Sequence, residues 1–178
     1  AAVHTPEYLK FLSTGHAEWS ALEGSGPEIL ANVHPVGGAG RSEGQYPRSI
    51  VGRAGYHMAD TACPIGPGTW QGAYHSAQTA ITAAGCVQAG EPHADALCRP
   101  PGHHGYADMA GGFCFLNNSA IAAQCLREHH DRVAILDVDV HQGNGTQGIF
   151  YRRADVLTVS IHADPLDYYP FFWGHAHE

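Results

Sequence analysis

Two aspartates and a histidine recur at every second position in Asp137-Val-Asp-Val-His141, where an apolar, β-branched run from Ile135 gives way to Gln142-Gly-Asn-Gly145. A carboxylate inside such a run is costly to desolvate unless it is paired or binds a cation. Every second side chain of a strand leaves the same face, about 6.5 Å from the last. The spacing therefore predicts that Asp139 and His141 share one ion near the strand's carboxyl end, as half of a metal site. Asp137, one step deeper, suits a supporting role behind another side chain. Each residue also has an ordinary reading, because strand-end aspartates cap following helices and a histidine there is often merely hydrogen-bonded.

A second cluster upstream favours the chemical reading. In Arg99-Pro-Pro-Gly-His-His104, a short strand at 94–98 is stopped by two prolines, which lack an amide donor and fix φ. Gly102 then permits a sharp turn into the tandem histidines His103 and His104. These sit at the mouth of an α/β unit, where open parallel sheets place their ligand crevices. Two imidazoles beside an activated water are what a hydrolase uses to move protons near neutral pH. The run Gln142-Gly-Asn-Gly-Thr-Gln147 is only superficially a phosphate loop, since no lysine follows and the glycine spacing is wrong.

These residues need elements to position them. Thr5 with Pro6 predicts a helix start, continuing through Tyr8, Leu9, Phe11 and Leu12 towards Leu22. Residues 23–48 collect glycines and prolines into a long irregular loop, a kind that tends to be functional inside a compact domain. Thr69 predicts the cap of a helix whose Ala73, Ala77, Ala80, Ile81 and Ala84 form a packing stripe. Asn117 or Asn118 predicts the cap of another, through Ile121, Cys125 and Leu126 to His129. Strands at 94–98, 132–140 and 156–162 alternate with these helices. That order predicts an α/β fold, a three-layer αβα arrangement whose mainly parallel sheet carries helices on both sides.

Composition narrows the function classes. With 178 residues one domain, 1–178, is the default, and 44% hydrophobic residues suffice for a core. No run approaches the roughly 20 apolar residues of a membrane span, and no basic start precedes an apolar signal segment. A cytoplasmic protein without a membrane partner is expected. The chain does not begin with methionine, which points to a true amino terminus further upstream. A net charge of −8 argues against nucleic acid as a partner and is compatible with a cationic substrate. Five cysteines, an odd number without a Cys-x-x-Cys pair, fit buried reduced thiols, and nothing near Cys114 marks it as a nucleophile.

The ordered motifs Arg99-Pro-Pro-Gly-His-His104, Gly111-Gly-Phe-Cys-Phe-Leu-Asn-Asn118, Asp137-Val-Asp-Val-His-Gln-Gly-Asn-Gly-Thr146 and Val159-Ser-Ile-His162 together resemble the zinc-dependent histone deacetylase superfamily. Gly52-Arg-Ala-Gly-Tyr-His-Met-Ala-Asp60, residues 65–70, and Asp164-Pro165 followed by Tyr168-Tyr-Pro-Phe-Phe172 are similar to its bacterial acetylpolyamine amidohydrolase branch. The resemblance covers essentially the whole chain, while the chain covers about half of the family's catalytic domain. It implies an arginase/deacetylase-like sheet that is incomplete as it stands, a single partial catalytic domain.

The resemblance also implies roles. Asp139 and His141 match two of three ligands to zinc, with ferrous iron an alternative native metal. His104 matches the general base and acid, and His103 its electrostatic partner. Asp137 stands behind His103 and Asn144 behind His104. An asparagine supports imidazolium less than an aspartate would, so His104 is expected to be the less basic for it. Gly112 and Phe113 match the acyl-lysine tunnel, with Tyr169 as the opposing aromatic wall; plain core packing is the ordinary reading of both aromatics.

A monovalent cation, K+ or Na+, is implied at Asp137, Asp139, His141, Ser160 and Ile161, partly through backbone oxygens. A second is implied at the carbonyls of Phe150, Arg153 and Val156. The third zinc ligand and an oxyanion-stabilising tyrosine come from the family's carboxyl-terminal half and are not found before Glu178. His175 and His177 are not expected to substitute, so these residues alone are expected to hold zinc poorly.

The expected activity is removal of acetyl groups from small cationic acetylated polyamines, or from acetyl-lysine, by a homodimer when complete. In that branch the 23–48 loop shapes a narrow tunnel and the dimer contact; a mobile surface excursion is its ordinary reading. The alternatives are a non-catalytic metal-binding or interaction remnant, and an arginase-like hydrolase with two manganese ions.

Overall fold

A computed structural model describes residues 2–35 and 45–177, so that part of the 23–48 loop lies outside the described residues. Its helices begin where side chains satisfy the free amides of a first turn. Helix α1, Pro6–Ser20, opens with proline at its first position, and Thr5 Oγ1 accepts from the Tyr8 amide at 3.3 Å. It buries Tyr8, Phe11 and Leu12, the i, i+3, i+4 pattern of one helix face. The Tyr8 hydroxyl donates to the Phe115 carbonyl at 2.8 Å, tying this helix to the segment that precedes α4.

Helix α2, Ile50–His57, was not foreseen from sequence. Ser49 caps it through the Gly52 amide, and its Gly55 lies so close to the Val33 carbonyl that a Cβ would collide. Its last residue, His57, is fully buried among Tyr8, Phe11 and Tyr56, with Nδ1 donating to the Asp108 carbonyl at 2.7 Å.

Helix α3, Thr69–Gln88, buries the alanine stripe Ala73, Ala77, Ala80 and Ala84, together with Ser76, and packs on α4, Asn118–Leu126. Thr69 is not its side-chain cap. Gly68 holds that position, and the Thr69 hydroxyl instead accepts from the Gly66 amide at 2.9 Å. Asn117 does cap α4, its Oδ1 accepting from the Ala120 amide at 2.9 Å. That helix ends at Leu126 and passes into a turn rather than reaching His129.

Strands β1, Val133–Asp137, and β2, Val156–Ser160, pair in parallel, in register from Val133 with Val156 to Asp137 with Ser160. Helix α5, Asn144–Phe150, lies between them in sequence; it too was unforeseen, hidden by the glycines of its first turn. The fold is α/β with a parallel sheet.

One expectation needs correction. Residues 94–98 form no strand: the Cys98 amide bonds back to the Ala96 carbonyl at 2.9 Å, and Leu97 is 94% exposed. A strand exists through its ladder, and here a cleft of about 760 Å³ separates Ala94, Ala96 and Cys98 from Ile135 and Asp137 on β1. Among the described residues the helices cover one face of the two strands, in keeping with an incomplete α/β sheet. Val133, Ile135 and Val156 pack with Ala120, Ala123 and Phe150 under α4 and α5, while Leu136 and Leu157 on the other face are 63% and 61% exposed. The larger core lies elsewhere, among α1, α2, α3 and residues 110–116.

Candidate metal-assisted hydrolytic site

The tandem histidines are delivered by a loop held from behind. Ser76 of α3 and Asn118 of α4 donate to each side of the same anchor, the Pro100 carbonyl, at 2.8 and 3.1 Å. Gly102 then passes so close to α4 that a Cβ would lie 2.8 Å from the Leu116 carbonyl. On the far side the Thr146 amide of α5 donates to the His103 carbonyl at 3.0 Å. Asn117, fully buried, spans both, its Nδ2 donating to the Gly105 carbonyl and to Thr146 Oγ1 at 3.0 Å each.

This frame sets two imidazoles side by side, ring centroids 3.9 Å apart. His103 Nδ1 lies 2.8 Å from Asp137 Oδ2, and His104 Nδ1 lies 2.8 Å from Asn144 Oδ1. An amide oxygen only accepts, so His104 Nδ1 carries the proton and Nε2 keeps a free lone pair. His104 is buried, and burial above all pulls its pKa down to about 4, the neighbouring His103 adding to the effect. The Asn144 hydrogen bond works the other way, raising it. Burial, then, is the main reason this imidazole is weakly basic, and the asparagine behind it only partly offsets that. Burial also pushes the Asp137 carboxyl up, but the hydrogen bonds from His103 and the Asp139 amide outweigh it and leave the pKa lowered.

Asp139 and His141 reach the site differently from the expectation of a strand face. β1 ends at Asp137, because each aspartate then captures the amide two residues on. The Asp139 amide donates to Asp137 Oδ1 at 3.1 Å, and the His141 amide donates to Asp139 Oδ1 at 2.8 Å. These successive turns bring the side chains together all the same, with His141 Nδ1 2.9 Å from Asp139 Oδ1. His103 Nε2 stands 3.9 Å from the same carboxylate, and the His104 and His141 rings are 5.9 Å apart. A carboxylate and an imidazole are donor types that suit a borderline divalent ion. Their number falls short of the usual three: among the described residues no group of three or more His, Cys, Asp or Glu side chains is arranged to hold an ion.

Over the histidines lies a tight wall. Gly112 has φ +51°, and a Cβ there would sit 2.8 Å from Tyr169 Cε1 and 2.9 Å from His104 Cγ. Phe113 follows at φ +67°, an unusual conformation for an aromatic residue. Its side chain is 66% exposed beside Arg99 and Pro100, so plain core packing does not describe it. Tyr169 stands edge-on to His104, centroids 4.6 Å apart, and its hydroxyl donates to Asp60 Oδ2 at 2.7 Å. The Gly112 amide donates to that oxygen too, at 3.0 Å. The sequence assigns Asp60 no role, because its partners lie 52 and 109 residues away.

Ser160 and Ile161 stand beside Asp137 at the carboxyl end of the sheet, where Ile161 N–H donates to the Asp137 carbonyl at 2.9 Å. A cavity of about 210 Å³ there is lined by Asp137, Gln142, Ser160 and His162. At the second implied cation position the Phe150 carbonyl accepts from the Arg153 amide at 2.8 Å, next to the start of β2 at Val156. His175 and His177 stack on each other, and His175 Nε2 meets the Phe171 carbonyl. Buried Cys114 lies close behind the histidines, but burial pushes its thiol up to about 12, which leaves it inert.

The chain matches the histone deacetylase domain across residues 1–178. The acetylpolyamine amidohydrolase of Burkholderia pseudomallei (strain 1710b) is 53% identical over 175 residues, 98% of this chain and 50% of that protein. That of Mycoplana ramosa is 46% identical over 177 residues, 99% of this chain and 51% of that protein. A crystal structure of acetylpolyamine aminohydrolase from Burkholderia pseudomallei superposes with a TM-score of 0.92 at 51% identity, over 99% of this chain and 50% of that one. The chain spans about half the length of the curated relatives it matches, and it belongs to the histone deacetylase domain family.

Proposed function

We propose that these residues supply part of the catalytic machinery of a metal-dependent amidohydrolase that removes acetyl groups from small, cationic acetylated amines of the polyamine class. The observation that carries this reading is the convergence of two imidazole dyads, His103–Asp137 and His104–Asn144, on the Asp139–His141 pair. Asp139 and His141 would hold a zinc or ferrous ion, which when bound acts as a Lewis acid on an amide carbonyl and acidifies water. The chain's own groups do the rest. His104, its Nδ1 proton fixed by Asn144, takes a proton from the attacking water at Nε2 and returns it to the departing amine. His103, backed by a carboxylate, stabilises negative charge developing beside it. Gly112 and Tyr169 pack against His104 and would wall the slot by which a slender amide reaches it.

A second reading rests on the donor count. A catalytic zinc takes three protein ligands plus water, and two converge here. The 178 residues taken alone are therefore proposed to bind a divalent ion weakly and to turn over little substrate. Zinc, a structural monovalent cation, a cytoplasmic setting and a homodimer all belong to this proposal.

One experiment addresses both readings: the reading frame that encodes this chain, expressed in full, beside the 178-residue chain. Each is assayed with acetylputrescine, acetylspermidine and an acetyl-lysine peptide, with metal content measured in parallel. The full product is expected to carry about one divalent ion and to prefer the polyamines, and the short chain to do neither. Equal rates on the peptide would sink the polyamine assignment, and two bound manganese ions would sink the metal assignment.

A further inference from the structure

One carboxylate joins the two segments that pack against His104 and would wall its slot. Asp60 Oδ2 accepts from the Tyr169 hydroxyl at 2.7 Å and from the Gly112 amide at 3.0 Å, while Oδ1 accepts from the Ala62 amide at 2.8 Å. Tyr169 comes from the chain's last turns and Gly112 from the segment ahead of α4. No backbone hydrogen bond is seen between them among the described residues. Their spacing is close: a Cβ on Gly111 would lie 3.1 Å from the Tyr169 hydroxyl oxygen and 3.3 Å from Asp60 Oδ2. Asp60 itself is held by its backbone, since the Ala59 amide donates to the Ala110 carbonyl at 2.8 Å and the Cys63 thiol donates to the Asp60 carbonyl at 3.3 Å.

We propose that Asp60 is a positioning residue that fixes the width of the substrate slot, by pinning to one oxygen Tyr169 and the Gly112 turn, both of which pack against His104. The inference rests on the deacetylase reading for the identity of the substrate, but its geometry does not. An anionic acceptor holds a phenol more firmly than a neutral one. In keeping with this, the Tyr169 phenol is pushed well above its ordinary pKa, by burial first and by Asp60 next. The phenol therefore stays protonated and remains a donor to Asp60. Without that oxygen Tyr169 is free to swing from His104, and the slot widens. The loss falls first on slender acetylated amines, which depend on close walls for their orientation.

The test uses Asp60→Ala, Asp60→Asn, Tyr169→Phe and the Asp60→Ala/Tyr169→Phe double variant in the reading frame expressed in full. Asp60→Ala is expected to raise KM for acetylputrescine about tenfold, to change kcat by less than about threefold, and to narrow discrimination against an acetyl-lysine peptide. Asp60→Asn keeps a carbonyl oxygen for Tyr169 and Gly112 and should recover most of the KM. Effects of residues in one network are not additive, so adding Tyr169→Phe to Asp60→Ala should lower the unfolding midpoint little further. A merely structural Asp60 would lower kcat with the folded fraction and leave KM and the substrate ratio unmoved; that result, or simple additivity of the midpoints, overturns the proposal. Should the unsubstituted protein hydrolyse none of the three amides, the deacetylase reading fails instead, and the midpoints alone decide for or against Asp60.

Discussion

Gly112 shows how much of the site rests on a single missing Cβ. Its φ of +51° favours glycine, and any Cβ would press into both His104 and Tyr169. Gly112→Ala is therefore expected to cost about 1–3 kcal/mol of stability from backbone strain and to depress kcat/KM well beyond the loss of folded protein. Denaturant unfolding and steady-state kinetics on the same preparation separate the two. The pair Asp139 and His141 was legible in sequence because metal donors are chosen by chemical type, which residue identity records. The route by which they converge was not, since side-chain capture of the next amides by Asp137 and Asp139 breaks the strand that the alternation predicts. Asp60 was illegible for a third reason: a carboxylate's role is fixed by partners distant in sequence.

At the scale of elements, Asn117 is where helix, loop and site meet. Its Oδ1 caps α4 while its Nδ2 binds the histidine loop at Gly105 and α5 at Thr146. Asn117→Ala removes a cap, worth about 1 kcal/mol, and leaves a buried carbonyl without this donor, at about 1–3 kcal/mol. A fall of about 2–4 kcal/mol in unfolding free energy is expected, and Asn117→Asp, which keeps the cap but sets a buried carboxylate against the Gly105 carbonyl, should fall at least as far. A loss below about 0.5 kcal/mol for the alanine variant would show that these elements hold together without it. Helices with an apolar stripe were readable, as α1, α3 and α4 show, with the side-chain cap rightly read in α1 and α4 but not in α3. α5 was not, because glycines at its start carry a turn signal stronger than its short helical run. The segment at 94–98 has strand composition without a strand's partners, and pairing is a property of the neighbour, not of the segment.

Two behaviours belong to the whole molecule. The first is a loss of stability in mild acid. His4 Nε2 accepts from the Asn117 amide at 3.0 Å and so is neutral when folded, its pKa lowered chiefly by burial. His104 is lowered to about 4 by the same cause. The unfolded chain titrates both near 6.5 and so takes up protons that the folded chain refuses. Their contribution is complete above that pH and is lost as the pH falls towards 4, on the order of 3 kcal/mol from His104 alone. Urea midpoints should be level from pH 8 to 7 and decline below about 6.5, less steeply in His4→Gln. A flat profile down to pH 5 would contradict the neutral, buried state of both rings.

The second behaviour follows from the bare side of the sheet. Leu136, Val138, Leu157, Val159 and Ile161 are all exposed, and the first four alternate with residues turned towards α4 and α5 or the site. Five aliphatic side chains exposed along two paired segments make a contiguous patch of the kind that soluble monomers rarely leave open. β1 also lacks a second partner strand among the described residues, so its outer edge offers free amides and carbonyls next to that patch. The 178-residue chain in isolation should therefore bind a hydrophobic dye in its folded state and self-associate at micromolar concentration. Leu136→Glu with Leu157→Lys places opposite charges on the exposed face without touching Val133, Ile135 or Val156, which form the core beneath. That double variant should lose most of the dye signal and elute as a monomer while keeping its unfolding midpoint. An unchanged dye signal would mean that the exposed surface lies elsewhere, with the cleft beside residues 94–98 as the next place to look.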